Sequence, residues 1–172
     1  MPLFWLFAVN PDGALSSAGC GLSNNSQSYP HDLSYFSAKI AIDDNSGNQQ
    51  GFVTHTAPPP QGIQGWTVYL WTTPDYQADI IELRWSTQDM PKNIETRLCI
   101  SRAGEWPLYA DIGVNPWNAG HITLPAIKTD DWHRGMCIQV EMWNTATVPE
   151  PGGILALGTG LAGLVGFGRR RF

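Results

Sequence analysis

An alternation of apolar and polar residues is the feature that most constrains what this chain can fold into. It recurs in segments between residues 35 and 144. Successive side chains of a strand point to opposite faces, so this period predicts strands with one buried face. No segment before Val148 has a convincing helical period. One of the clearest strand segments is the run Ile81, Glu82, Leu83, Arg84 and Trp85.

Turn-forming segments separate the predicted strands at short intervals. "DDNSGNQQG" at residues 43–51 consists almost entirely of turn formers, and "TDDWHRG" at residues 129–135 is similar. Strands of this length at this spacing predict an all-β domain over residues 20–147, built as an antiparallel β-sandwich or a jelly-roll-like fold.

Charge narrows the class of partner. The 172-residue chain has a formal net charge of -5, and only 15 % of its residues are charged. Its one basic cluster lies at residues 169–171, so no basic surface is expected to follow a phosphate backbone, and no nucleic acid partner is predicted. Low charge with much Gly, Pro, Thr and Trp is common in exported β-rich proteins.

The three cysteines leave two interpretations open. No Cys/His group has the spacing of a zinc site, and we predict neither a metal site nor a cofactor. In the first interpretation all three are buried or idle thiols. In the second, Cys99 and Cys137 form a disulfide and Cys20 is left over, which requires an oxidising compartment. Cys99 and Cys137 fall on the more polar faces of their predicted strands, whereas a free cysteine prefers burial.

The amino-terminal segment 1–19 also has two interpretations. "MPLFWLFAV" is apolar but short, and no Lys or Arg precedes Lys39, so the basic region of a signal peptide is missing. Ser16 and Ala18 offer small residues at a cleavage site. The segment therefore resembles the back half of a signal peptide whose start has been lost. The other interpretation is the first strand of the fold.

The predicted body carries no catalytic motif that holds. It has no nucleophile elbow, no H-E-x-x-H and no phosphate-binding loop, and its four histidines are scattered singly. We predict a protein that is not an enzyme. The alternative is a secreted jelly-roll hydrolase of polysaccharides, which would need two carboxylates facing each other at a defined separation.

Tryptophan is the most unusual component of the body. Trp66 and Trp85 align with aliphatic neighbours and are expected in the core. Other tryptophans fall in turn-like stretches or on polar strand faces. Exposed aromatic planes beside amide and carboxylate groups can hold sugar rings through apolar stacking and hydrogen bonds. The candidate glycan-binding residues are Trp71, Trp117, Trp132 and Trp143.

Residues 148–172, "VPEPGGILALGTGLAGLVGFGRRRF", differ from everything upstream. The run 152–168 is uncharged and would reach roughly 25 Å as a helix at about 1.5 Å per residue. The hydrocarbon core of a bilayer is about 30 Å thick. The positive-inside rule would keep the terminal arginines in the cytoplasm. We therefore predict one C-terminal transmembrane helix with the body on the outer side.

The same tail carries a family resemblance. "VPEP", a glycine- and leucine-rich apolar run and a terminal "RRR" resemble the PEP-CTERM sorting signal of exosortase substrates in Gram-negative bacteria. The residues that match are the recognition motif Pro149, Glu150 and Pro151 and the basic stop Arg169, Arg170 and Arg171.

The resemblance implies a route and a set of partners. An exosortase-like enzyme would process the tail near the motif, after the run 152–168 has anchored the chain in the inner membrane. The product would be an exported protein at the cell surface or in the extracellular matrix, where polysaccharide is an expected partner. A plain tail-anchored membrane protein is the alternative.

Overall fold

The computed structural model describes residues 4–23, 27–30, 33–43, 52–57, 63–88, 90–102, 109–114 and 119–145. Strands account for most of these residues, which confirms the all-β prediction. Within these ranges one 3-10 turn, Trp132–Arg134, precedes the last strand. The strands are Phe4–Val9 (β1), Leu15–Leu22 (β2), Gln27–Pro30 (β3), Ala38–Asp43 (β4), Phe52–Ala57 (β5), Ile63–Thr72 (β6), Ile80–Ser86 (β7), Ile94–Arg102 (β8), Ala110–Val114 (β9), Gly120–Pro125 (β10) and Met136–Asn144 (β11).

Hydrogen bonds join the strands in the order β10-β7-β1-β2-β5-β4-β6-β11-β8-β9, with β3 beside β5. We call β10, β7, β1, β2, β5 and β3 sheet I, and β4, β6, β11, β8 and β9 sheet II. The division falls between β5 and β4 because these strands share only the register pair Ile42 and Phe52. Most ladders are antiparallel, as predicted, but β2 and β5 run parallel, which alternation along single strands cannot reveal.

The two sheets bury one shared core. Side chains at alternate positions of both sheets belong to a single buried cluster, which gives the fold its sandwich-like character. Burying one large apolar side chain of this core stabilises the fold by about 1.5–3 kcal/mol. The largest fully buried side chains of sheet I include Phe4, Leu6, Leu83 and Leu124, and those of sheet II include Ile40, Leu70, Leu98, Ile100 and Ile138.

The apolar amino-terminal segment forms β1, which lies between β2 and β7 in sheet I. Its alternate residues Phe4, Leu6 and Ala8 are at most 1 % exposed and belong to the core. This placement is the one described by the first-strand interpretation. The cleavage-site interpretation stays a prediction, and cleavage after Ala18 would remove β1 from the sheet.

Two buried polar side chains, Asn10 directly after β1 and Ser16 in β2, bind the backbone of β4 in sheet II. Oδ1 of Asn10 accepts a hydrogen bond from the N–H of Ala38, and Oγ of Ser16 accepts one from the N–H of Ile40 at 3.2 Å. The opposite edge of β4 pairs with β6. The two side chains therefore satisfy amides of β4 and link the sheets without a regular ladder.

Gly135 lies where the 3-10 turn meets β11 and leaves no room for a side chain. A Cβ there would be 2.6 Å from the carbonyl oxygen of Leu70 and 3.0 Å from Cβ of Trp71. Because a backbone carbonyl cannot rotate away, Gly135→Ala should lower the free energy of unfolding by about 2–3 kcal/mol. Urea denaturation would measure this loss.

A matched control for that variant is Gly113→Ala, since nothing lies within 4 Å of a Cβ added at Gly113. Its stability should stay within about 0.5 kcal/mol of the unsubstituted chain. Equal stability of the two variants would contradict the close approach between Gly135 and β6.

The predicted transmembrane helix lies outside the described residues, as do the sorting motif and the basic stop in residues 146–172. The described ranges contain no helix with the length and apolar character needed to cross a bilayer.

Candidate functional site

The tryptophans predicted to bind glycan fall on one side of the molecule where they are described. Trp71 of β6 and Trp143 of β11 alternate with core residues of their strands, which places both on the outer face of sheet II. Trp132 belongs to the 3-10 turn that packs on β6. Trp117 lies outside the described residues.

Trp71 and Trp132 belong to an aromatic cluster with Tyr69 and His133. The ring of Trp132 lies 3.6 Å from that of His133, 5.1 Å from that of Tyr69 and 6.3 Å from that of Trp71, centroid to centroid. Trp71 is only 4 % exposed, so its ring is packed within the protein and is not offered to a ligand. Burial raises the pKa of Tyr69.

The cluster is held over the sheet by the cap of the 3-10 turn. Asp131 accepts a hydrogen bond from the N–H of His133 at 3.2 Å, which satisfies an amide at the start of the turn. The carboxylate of Asp131 also lies 3.5 Å from both Nδ1 of His133 and Nε of Arg134. The cap of the turn therefore helps to hold Trp132 beside Trp71.

Trp143 lies at the other end of β11 and does not join this cluster. It pairs with Ile63 and Glu95, whereas Tyr69 pairs with Cys137. The two ends of that strand segment are roughly 20 Å apart at about 3.4 Å per residue. The described members of the predicted tryptophan set therefore share a face without forming one platform.

All three cysteines are free thiols in the structure, so the predicted Cys99–Cys137 disulfide is not formed in it. The register gives the reason. Cys99 is opposite Gln139, and Cys137 is opposite Ser101, which makes the cysteines diagonal neighbours about 7–8 Å apart. A disulfide needs Cα atoms within about 7 Å. Burial raises the pKa of each of the three thiols.

An ion pair lies beside Cys99 on the outer face of sheet II. Nε of Arg97 donates to Oδ1 of Asp111 at 2.7 Å, and Nη2 donates to Oδ2. These hydrogen bonds lower the pKa of Asp111 and raise the pKa of Arg97. Both side chains are well exposed, so the pair contributes little to stability.

A second candidate site, which was not predicted from the sequence, lies on the outer face of sheet I. There the outward-facing residues of β1 are all apolar: Trp5, Phe7 and Val9 are each half-buried. The rings of Trp5 and Phe7 lie 6.4 Å apart with an interplanar angle of 23°. Leu15, which pairs with Val9, is 47 % exposed. The outer face of β1, a central strand, therefore carries an apolar stripe at positions where alternation would place polar residues.

An open pocket of about 530 Å³ lies against this stripe, within the range of small-molecule sites. The register sets Phe7 opposite Arg84 and Arg84 opposite His121, so three neighbouring strands each place one side chain in a single row. We call this the sheet I pocket. Its lining residues are Phe7, Leu15, Glu82, Arg84, Trp85, Ala119, Gly120 and His121.

The polar wall of the pocket is a bidentate ion pair within β7. Nε of Arg84 donates to Oε1 of Glu82 at 2.6 Å, and Nη2 donates to Oε2 at 3.2 Å. The hydrogen bonds from Arg84 are the main cause that lowers the pKa of Glu82, and His121 contributes in the same direction. The wall therefore offers donors and acceptors whose charges largely cancel.

Gly120 shapes the end of the same pocket. A Cβ at this position would overlap the indole ring of Trp85, so only glycine lets that ring lie in its observed place. Trp85 is 8 % exposed and otherwise belongs to the core, as predicted. One signal for this site was present in the sequence: β1 is apolar at every position, which a strand with one solvent-facing side does not need.

The described residues contain no group of three or more His, Cys, Asp or Glu side chains that could hold a metal ion. No family model matches the chain, and no curated protein matches it either. The fold and its two outer faces define an all-β protein with two antiparallel-rich sheets.

Proposed function

We propose that this chain is a non-catalytic exported protein, sorted to the cell surface or the extracellular matrix through its C-terminal PEP-type signal. The observation that carries the proposal is the order of elements in residues 148–172: motif, uncharged apolar run and basic end. In this proposal an exosortase-like enzyme reads Glu150 and its flanking prolines. The run 152–168 is a temporary inner-membrane anchor, and extracellular polysaccharide is the expected partner.

The end of the described fold supports a boundary between the β domain and the proposed sorting signal. β11 lies between β6 and β8, and hydrogen bonds anchor it as far as its last residues. Thr145 donates from its N–H to the carbonyl oxygen of Asn93 at 2.8 Å, and Nδ2 of Asn93 donates to Oδ1 of Asn144 at 2.9 Å. The motif starts shortly after this anchoring point, so cleavage there would leave each described strand intact.

Three of the described carboxylates are poor candidates for the general acid that the hydrolase alternative would need. A general acid in a glycosidase needs a raised pKa. The pKa values of Asp75, Glu82 and Asp111 are shifted in the opposite direction, chiefly by hydrogen bonds from Thr73, Arg84 and Arg97 respectively.

Glu150→Ala tests the sorting proposal in a native host. We expect the unsubstituted chain to lose its tail beyond the motif, and the variant to keep residues 152–172 because its recognition motif is altered. Intact mass of the protein from the envelope and the matrix measures both. Glu95→Ala, an exposed glutamate on β8, is the control and should be processed normally.

Two results would overturn the proposal. Normal processing of Glu150→Ala would show that this glutamate is not read. An unsubstituted chain that keeps its whole tail in such a host would favour the plain tail-anchored protein.

A further inference from the structure

The apolar stripe on β1 is a candidate binding surface. Trp5, Phe7 and Val9 face outward from a strand that has neighbours on both edges, so the fold itself does not require apolar side chains there. Water contact at such a stripe costs about 25 cal/mol per Å² of apolar surface. Contiguous exposed apolar patches commonly mark interaction sites.

We propose that the sheet I pocket binds a neutral sugar residue of a polysaccharide chain, with Phe7 as the stacking platform and Arg84 and Glu82 as the hydrogen-bonding wall. This site lies on the opposite sheet from the tryptophans predicted from the sequence. The inference rests on the proposed function for its partner class, extracellular polysaccharide, and adds a site and a sugar type; the pocket itself is formed wherever the folded chain is found.

The chemistry of the pocket matches the two sides of a pyranose ring. One face of such a ring exposes C–H groups, which pack on an aromatic plane, and its rim carries hydroxyls that both donate and accept. Glu82 accepts hydrogen bonds and Arg84 donates them, and their mutual bonds fix both groups in place. Hydrogen bonds in which one partner is charged are stronger than those between neutral groups, so sugar hydroxyls that bridge Arg84 and Glu82 would be oriented by both groups.

The charges favour a neutral sugar over an acidic one. The positive charge of Arg84 is already matched by Glu82, and the chain as a whole has a formal net charge of -5. A uronate or phosphate group would meet the carboxylate of Glu82 at the same wall and would be repelled by it. A neutral hydroxyl-rich ring uses both members of the pair without disturbing it.

The shape favours a chain of sugars over a single one. Trp5 lies beyond the pocket lining on the same face of β1, and its ring centroid is 6.4 Å from that of Phe7. Gly19, opposite Trp5 on β2, adds no side chain to block that direction. A linked sugar residue next to the one at Phe7 would therefore find a second aromatic ring along the strand.

Calorimetry and tryptophan fluorescence on the purified full chain would test the proposal. The probes are neutral tetrasaccharides of glucose, galactose, mannose and xylose, with tetragalacturonate as the acidic comparison. The full chain carries the predicted transmembrane helix and would be purified in detergent. That detergent must not have a sugar head group, which could itself occupy the pocket. We expect saturable binding of at least one neutral probe with a Kd of about 1 mM or below, together with a change in emission from Trp5 and Trp85.

The matched variants use two bidentate arginine–carboxylate pairs among the described residues, Arg84–Glu82 and Arg97–Asp111. Arg84→Gln should weaken binding by about tenfold or more, because a charged donor is lost. Arg97→Gln removes the same kind of donor from the outer face of sheet II and should leave binding unchanged. Phe7→Leu, which keeps an apolar strand residue but removes the ring, should also weaken binding while the variant still unfolds cooperatively.

Each outcome of these measurements either supports or overturns the proposal. Neutral binding that is lost in Arg84→Gln and kept in Arg97→Gln supports the proposal. Absence of saturable binding across the neutral panel overturns it, and so does equal weakening by both arginine variants. Preference for tetragalacturonate overturns the neutral assignment. None of these results changes the outcome of the processing experiment, so the two proposals fail independently.

Discussion

A chain shortened to begin at Gly19, as cleavage after Ala18 would leave it, is expected to lose cooperative unfolding altogether. The deletion removes β1 and also residues 15–18 of β2. The lost β1 residues include Phe4 and Leu6, which are 0 % and 1 % exposed. Truncating single buried residues of these types to alanine costs about 2–5 kcal/mol each. Loss of the whole strand exceeds the total stability of about 5–15 kcal/mol that is typical of a domain.

The position of β1 makes this loss larger than that of a terminal edge strand. β1 is the link between β2 and β7, and β10 is attached to the sheet through β7. Its removal therefore separates two further strands from the rest of sheet I. Near-UV circular dichroism and thermal melting would measure the effect. A truncated chain that melts with the same sharp transition as the full chain would contradict the placement of β1.

The control is a deletion at the other end of the chain. Removing residues 148–172 leaves every described strand in place, and the melting transition should be preserved. This pair of deletions also bears on export, because any leader removed at Ala18 would take a core strand with it.

The double variant Asn10→Ala, Ser16→Ala is expected to be the most damaging change that leaves every strand present. Each substitution removes an acceptor from a buried amide of β4, and an unpaired buried amide costs about 1–3 kcal/mol. The two bonds serve one strand, so their effects need not add. We expect a combined loss of about 2–5 kcal/mol in urea denaturation.

Amide hydrogen exchange would separate this cause from general loosening. The amides of Ala38 and Ile40 should exchange faster by a larger factor than those of β11 in the middle of sheet II. Ser17→Ala changes a neighbouring half-buried serine and should leave both amides protected. Uniform acceleration throughout sheet II would show that the two side chains do not act on β4 specifically.

Strand positions could be predicted well where one face is buried and the other is polar. In β7, Ile81, Leu83 and Trp85 are buried, and Glu82 and Arg84 point outward, as alternation requires. Pairing between distant strands could not be predicted, because register and direction depend on packing across the whole sheet. The parallel neighbours β2 and β5 are the clearest example.

The candidate site shows the same division between local pattern and tertiary placement. The sequence context of Trp71 suggested a polar surface, but its side chain is buried, and the 3-10 turn places Trp132 beside it. The ion pair of Glu82 and Arg84 is local to one strand. Its neighbours Phe7 and His121 come from strands far away in the chain, and only the sheet order brings them to one row.

The central position of β11, the last of the described strands, has a consequence for the timing of folding. β11 pairs on both edges, with β6 and β8, so sheet II stays open until Asn144 has been made. Synthesis at about 5–20 residues per second puts that moment roughly 7–30 s after the first residue. During this interval the inner edges of β6 and β8 are free to pair wrongly with other chains. At this rate the proposed sorting motif follows the closing strand within about 1.5 s and the end of the tail within about 6 s, so sheet II can close before its sorting signal is complete.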